Sequence, residues 1–262
     1  MNPASTHRRN GRCDIEYVNE RIERIRKMDA FERLLTVHDY EYCSREHHMV
    51  DFISIQSWRP NLYNLMLQTW QIHSNKPVVN MEHGGYEEGP YLSFEGNYVN
   101  AEQCLVRAWE CVFAGVYPSY YWQNSAWDIV IFDALDPKHD FDPPKYEYYR
   151  YMTDFFTRYN FNKLFPVEQK LTTNNRQELE NLATNGYPLT NGTDLFMFFI
   201  PAATFIINTV LPEPESGNIK AIWYNIYTGE YAGEQVAQWR GWNEFRSPWK
   251  NTDAILVIEY EW

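Results

Sequence analysis

The chain has 262 residues, 44% of them hydrophobic and 22% charged, with a formal net charge of -12. That length can bury a sizeable core and fill one large domain or two modest ones. The acidic balance excludes a phosphate-binding surface, which needs a net basic face, so nucleic acid is not an expected partner. A membrane span is excluded as well. It needs ~18–20 uncharged apolar residues, and the most apolar stretch, Leu195 to Leu211, is broken by Pro201 and Asn208.

Residues 1–13, MNPASTHRRNGRC, have basic side chains with no apolar stretch behind them and no helix or strand pattern. They read as an unstructured or non-native start and carry no secretory signal, which leaves localisation open. Val18, Ile22 and Ile25 then mark a surface helix with one apolar stripe. LLTVH (34–38) and DFISIQSW (51–58) read as two short strands, and Pro60 opens a helix with Leu62, Leu65, Met66 and Thr69 on one face. KPVVNM (76–81) is a third strand, followed by the glycine-rich loop HGGYEEGP. A helix from about Ala101 to Ala114 ends at Gly115, where a left-handed residue suits a helix C-terminus. VYPSYYW (116–122) is a fourth strand, and a last helix runs from about Tyr146 to Tyr159.

Strands that alternate with helices and are apolar without alternation predict a parallel sheet covered by helices. From about Lys170 the pattern changes. TDLFMFFIP, ATFIINTVL, NIKAIWYNI and AILVIEYEW are strand-like runs separated by turns, an all-β unit expected to be an antiparallel sandwich. The expected organisation is 14–168 for the α/β part and 169–262 for the sandwich. Alternate positions along these strands put Phe196, Phe198, Phe205, Ile207, Ile222, Tyr224, Leu256 and Ile258 in its core. The four cysteines, Cys13, Cys43, Cys104 and Cys111, form no CxxC pair and read as free thiols; Cys104 and Cys111 share one helix face.

Parallel sheets bind ligands at the C-terminal ends of their strands. The residues there are His38 and Asp39; Gln56, Ser57 and Trp58; Asn80, Glu82 and His83; and Trp122, Gln123 and Asn124. Glu82 leads, because it follows the VVNM strand and precedes two glycines that allow a tight turn. A carboxylate beside an asparagine and ringed by aromatics suits glycoside hydrolysis, whose oxocarbenium-like transition state needs a nearby negative charge. The plainer alternative is a loop glutamate paired with a cation. His38 and His83 suit contacts to sugar hydroxyls, or they simply cap strand ends. Trp58, Tyr86 and Trp122 offer flat faces for sugar rings, with Asn80 and Gln123 as polar contacts; the alternative for Trp122 is a core position. Aromatic residues are 17% of the chain, which agrees with such a cleft without requiring one. No metal site is expected, because Glu41, Glu46, His47 and His48 lie in a short loop without fixed ligand geometry. Neither GxSxG, the P-loop nor GxGxxG occurs, and no cofactor is expected.

KPVVNMEHGGYEEGPY, followed by NAEQCLVRAWECVFAGVYPSYYWQNSAWDIV, resembles the second half of the (β/α)8 barrel of bacterial glycoside hydrolases of the apiosidase-like, DUF4038 type. NGTDLFMFFIPAATFIINTVLPEPESGNIKAIWYNIYTGEY is similar to the β-sandwich, sometimes labelled collagen-binding, that often follows such barrels. The resemblance implies a partial (β/α)8 TIM barrel, strands five to eight, followed by a β-sandwich. Glu82 would then match the strand-seven nucleophile, Trp122 the strand-eight aromatic and His38 the strand-five histidine. It also implies hydrolysis of O-glycosidic bonds with retention, on side chains of plant or microbial polysaccharides. The acid/base of such barrels follows strand four, which has no counterpart here; Asp14 and Glu16 are the nearest carboxylates and look like a helix start. The expectation is therefore a fragment whose partner would be a missing N-terminal half-barrel, with a non-catalytic carbohydrate-binding or pseudo-enzyme fragment as the alternative.

Overall fold

The computed structural model describes residues 8–9, 12–57, 59–73, 75–84, 100–119, 145–167, 171–173, 186–200, 206–209, 211–215, 217–241 and 243–260. It divides into two compact units, Met1–Pro143 and Pro144–Trp262. No helix among the described residues is long and apolar enough to cross a membrane.

In the first unit Arg8–Arg9 (β1) and Arg12–Cys13 (β2) pair antiparallel, within a segment whose sequence shows no strand pattern. The first helix, α1 (Ile15–Met28), is capped by Asp14, whose carboxylate accepts the backbone N–H groups of Glu16 and Tyr17 at 3.2 and 3.3 Å. Glu16 in the first turn, with Arg26 and Lys27 in the last, complements the helix dipole. Val18 and Ile22 are buried, while Ile25 is half exposed.

The run 34–38 does not form the expected first strand. Its hydrogen bonds go to side chains and isolated backbone groups instead. The Leu35 N–H donates to the Asp51 carboxylate at 2.7 Å, Thr36 Oγ1 donates to the Phe52 carbonyl at 2.7 Å, and the Leu35 carbonyl accepts from the Asp51 N–H at 2.8 Å. A short helix, α2 (Tyr40–Cys43), follows. The described sheet of this unit therefore has three strands rather than four: β3 (Ile53–Gln56), β4 (Val78–Glu82) and β5 (Tyr117–Pro118), in the order β3-β4-β5 with both pairings parallel.

The crossovers carry α3 (Leu62–Ile72) and α4 (Ala101–Phe113). Met66 and Thr69 of α3 are buried, as their shared face predicts. Asn100 starts α4 with a reciprocal capping box, its side chain accepting the Gln103 N–H at 2.8 Å while the Gln103 side chain accepts the Asn100 N–H at 3.3 Å. At the other end the Gly115 N–H donates to the Val112 carbonyl and the Val116 N–H to the Cys111 carbonyl, at 3.0 and 2.9 Å. That is a Schellman motif, and Gly115 has the left-handed φ of 80° that it requires. Cys43, Cys104 and Cys111 are buried.

The second unit contains α5 (Tyr146–Tyr159) and a 3-10 turn at Phe161–Lys163, so this helix falls with the C-terminal strands. Its strands are β6 (Phe165–Pro166), β7 (Leu171–Thr173), β8 (Tyr187–Thr190), β9 (Leu195–Ile200), β10 (Ile206–Thr209), β11 (Asn218–Asn225), β12 (Tyr231–Gln238), β13 (Asn243–Arg246) and β14 (Ala254–Tyr260). They form two antiparallel sheets, β12-β11-β14-β9-β8-β6 and β13-β10-β7. One core joins them: Phe196, Phe198, Trp223, Leu256 and Ile258 from the large sheet meet Ile207 and Phe245 from the small one.

On β11 the expected faces are reversed. Ala221 and Trp223 enter the shared core, whereas Ile222 is only partly buried and Tyr224 turns to the opposite face. There the Tyr224 ring lies 4.6 Å from that of Phe155 on α5, and its hydroxyl donates to the Tyr151 carbonyl at 2.8 Å. Bulky residues at both parities of NIKAIWYN hide which face is inside. Phe205 lies outside the described residues.

Gly115 gives a direct test of the α3–α4 packing. A Cβ built there would lie 2.7 Å from Cδ1 and Nε1 of Trp70 on α3, at a φ that L side chains avoid. Gly115→Ala should cost about 1 kcal/mol of backbone strain and a further 1–3 kcal/mol of overpacking. Urea titration is expected to show a lower midpoint with an unchanged slope.

Candidate functional site

β3 and β4 run in parallel with a break in register. Ile55 pairs with Asn80, but Gln56 pairs with Glu82, which leaves Met81 as an extra residue. Strict alternation would send the Glu82 side chain the same way as that of Asn80. The Asn80 side chain is fully buried and points at the helices, its amide nitrogen 3.4 Å from Met66 Sδ on α3 and 3.7 Å from Cys111 Sγ on α4. Its oxygen accepts the backbone N–H of Glu82 at 3.2 Å, a short-range bond that holds the bulge. The break turns Glu82 away from the helices and beside Gln56, where the two strands end.

At that edge Glu82 keeps a quarter of its side chain exposed and meets polar groups of Gln56 and His38. Gln56 Nε2 donates to Glu82 Oε2 at 2.5 Å, and His38 Nε2 lies 3.4 Å from Glu82 Oε1. The same His38 nitrogen is 3.2 Å from Gln56 Oε1, and Ser54 Oγ is 3.4 Å from His38 Nδ1. The Ser57 N–H donates to the Glu82 carbonyl at 3.0 Å and fastens the two strand ends. A carboxylate held by an amide and an imidazole, open on one side, can accept a proton, attack an electrophilic carbon or stabilise a developing cation.

Behind this edge lies a buried polar cluster. His83 has no exposed surface; its Nε2 donates to the Ser119 carbonyl at 3.0 Å, and its Nδ1 faces Cys104 Sγ at 3.8 Å. Arg107 on α4 donates to the His83 carbonyl, and to the Ser57 and Arg59 carbonyls at 3.4 and 3.1 Å. Cys104 Sγ donates to the Gly84 carbonyl at 3.1 Å. Gly84 has φ of 103°, and a Cβ there would lie 2.9 Å from Arg107 Nε, so glycine is what allows the guanidinium this close. Cys104, Arg107 and Cys111 fall at positions i, i+3 and i+7, so one stripe of α4 meets the Asn80 side chain before Glu82 and the His83 and Gly84 carbonyls after it.

Of the residues singled out from sequence, Glu82 and His38 meet at the open edge, and Asn80 shapes the backbone beneath them. His83 has both ring nitrogens directed into the protein. Trp58, Tyr86, Trp122 and Gln123 lie outside the described residues. Gln56 was legible as a strand-end residue, although only its register opposite Glu82 makes it a partner. Arg107 was missed; the signal was a lone cation on the apolar face of AEQCLVRAWECVF. Among the described residues no three His, Cys, Asp or Glu side chains are grouped to hold a metal ion. A cavity of about 250 Å³ is lined by Tyr17, Ile22, Ile25, Leu35, Val37 and His38.

Burial, helped by the nearby Arg107 charge, pushes the His83 imidazole down to about 4. Unfolding returns it to about 6.5, so in this interval the unfolded chain binds more protons than the folded one. The stability from keeping His83 neutral is therefore complete above 6.5 and is lost as pH falls toward 4. His48 and His73 are also shifted down by burial and add to the same slope. The expected outcome is an unfolding free energy that falls over this interval, with a shallower slope in His83→Gln, read by denaturant titration at several pH values.

The sequence profile of the apiosidase-like catalytic domain matches residues 5–163, more than half of the chain. A comparison with curated proteins finds no match. Among solved structures, one titled glycoside hydrolase superposes with a TM-score of 0.58 at 16% identity, covering 81% of this chain and 53% of its own. A glycoside hydrolase family 5 structure from Bacteroides vulgatus ATCC 8482 superposes with a TM-score of 0.59 at 16% identity, covering 82% and 51%. The chain thus spans about half the length of each of these structures, and the likeness is one of fold. By the profile match, the chain belongs to the family of apiosidase-like catalytic domains.

Proposed function

We propose that this chain supplies the nucleophile side of a retaining glycoside hydrolase site, with Glu82 as the nucleophile and a carbohydrate as substrate. The observation that carries this reading is the carboxylate at the C-terminal end of the central strand of a parallel sheet, turned outward by a register break and held by Gln56 and His38. In such an enzyme a carboxylate attacks the anomeric carbon while a second carboxyl group, ~5–5.5 Å away, protonates the departing oxygen and later activates water. The acid/base would come from barrel strands outside residues 1–262, in keeping with solved structures of like fold of which this chain covers only 53% and 51%. Those strands would continue the sheet past β3 as a (β/α)8 barrel. They would also cover Met28, Phe31 and Leu34, large apolar side chains that are 75%, 80% and 78% exposed. Trp58, Tyr86, Trp122 and Gln123 complete the proposed substrate cleft, and the C-terminal sheets serve as its accessory domain.

Residues 1–262 alone are expected to turn over 4-nitrophenyl glycosides negligibly, and fusion to the N-terminal half of a longer family member should give activity. In that fusion Glu82→Gln should lower kcat by roughly 10⁴-fold, the scale seen when an attacking residue is removed. Glu82→Ala with added azide should release a glycosyl azide of inverted configuration. Near-normal turnover by Glu82→Gln would refute the nucleophile, and robust hydrolysis by residues 1–262 alone would refute an acid/base from outside them.

A further inference from the structure

We infer that Gln56 is a positioning residue, the middle link of a one-way chain of hydrogen-bond donors that runs from Ser54 through His38 and ends on the Glu82 carboxylate. As a statement about catalysis this rests on Glu82 being the nucleophile; as a statement about the site it rests on geometry alone.

The direction of the chain follows from what each atom can do. An ionised carboxylate only accepts, so the group 2.5 Å from Glu82 Oε2 must be the NH₂ end of the Gln56 amide. That fixes the carbonyl end, Oε1, which lies 3.2 Å from His38 Nε2. Nε2 therefore faces two acceptors, Gln56 Oε1 at 3.2 Å and Glu82 Oε1 at 3.4 Å, and must carry the proton. In the neutral ring Nδ1 is then an acceptor, and the fully buried Ser54 hydroxyl, 3.4 Å away, is placed to donate to it. Every donor in the series points toward the carboxylate, an arrangement in which each bond polarises the next.

Register makes the arrangement possible. Ser54 and Gln56 are two apart on β3 and project to one side of the sheet, so both ends of the imidazole are held by a single strand. The bulge in β4 brings Glu82 opposite Gln56. Without it Met81 would stand there, and the amide would have nothing to donate to.

The residue type also matters. An arginine or lysine at position 56 would hold the carboxylate with a full positive charge and reduce its value as a nucleophile or as a stabiliser of a cation. A second carboxylate would repel it. An amide donates at one end, accepts at the other and adds no charge. Gln56 itself is exposed, so substitutions there should not threaten the fold.

The test uses residues 1–262 with ¹⁵N-labelled histidine rings and ¹³C-labelled glutamate carboxyls, followed by NMR at one neutral pH. Signals are assigned by their loss in His38→Phe and Glu82→Gln. The wild-type ring should carry its proton on Nε2. Gln56→Met keeps the length and removes both hydrogen bonds, and should shift the Glu82 carboxyl ¹³C resonance more than that of any other labelled glutamate, because its amide donor is lost. Gln56→Glu places a second carboxylate against the imidazole and should shift the His38 ¹⁵Nε2 resonance more than that of any other labelled ring. A wild-type ring protonated on Nδ1, a Glu82 carboxyl resonance unmoved in Gln56→Met, or a His38 Nε2 resonance unmoved in Gln56→Glu would each overturn the relay. No turnover is measured, so the two readings fail separately. An intact relay with full turnover in Glu82→Gln removes only the nucleophile, and a failed relay with turnover abolished removes only the relay.

Discussion

The site depends on one side chain that never reaches it. Asn80 is fully buried among α3 and α4, and its oxygen accepts the N–H of Glu82 two residues on. A buried amide without partners would be costly, so the helices and the bulge are tied to each other through it. If the strand were regular, Glu82 would share the helix side with Asn80 and a charged group would enter an apolar layer. The bulge places an asparagine inside and a carboxylate outside only two residues apart, and the Ser57 N–H to the Glu82 carbonyl closes it from the neighbouring strand.

The charges around this edge are sorted by how they are held. Arg107 sits behind the strand ends and gives its donors to three carbonyls, those of His83, Ser57 and Arg59. Burial lowers its affinity for a proton, as it does for His83, but the guanidinium is held by backbone dipoles. Its hydrogen bonds therefore rigidify the backbone from which Glu82 projects without bonding the carboxylate itself. In front, an amide and an imidazole from among the described residues touch Glu82. Stiffness is thus supplied from behind by a cation, and the amide and imidazole orient the carboxylate from the front.

Much of this was legible in the sequence where one local rule dominates. The helices α3, α4 and α5 follow their apolar stripes, and Gly115 follows the demand for a left-handed residue. Glu82 at a strand end follows from the VVNM run. The failures have equally specific causes. LLTVH has strand composition, but Asp51 and Thr36 give it side-chain bonds in place of a ladder. YAGEQVAQ is a full strand, β12, that composition hides because it is an exposed edge with almost no apolar face. The pairing of Gln56 with Glu82 could not be read at all, since a bulge is a property of two strands and each strand looks regular alone.

The C-terminal strands show the same limit from the other direction. LFMFFI and AILVIEY are apolar at both parities, the pattern usually taken for a parallel strand buried on both faces. Here both strands are antiparallel, and both faces are nevertheless buried. Phe196, Phe198, Leu256 and Ile258 enter the core shared with the small sheet, while Met197, Phe199, Ile255 and Val257 are buried on the reverse. Elsewhere on that reverse face Tyr224 and Tyr231 of β11 and β12 carry Phe155 of α5. Continuous apolarity therefore reports how many faces are covered, not the direction of the neighbours. Only the connections settle direction: the short link between β8 and β9, residues 191–194, can join antiparallel strands alone, whereas the link from β3 to β4 holds a helix and makes them parallel.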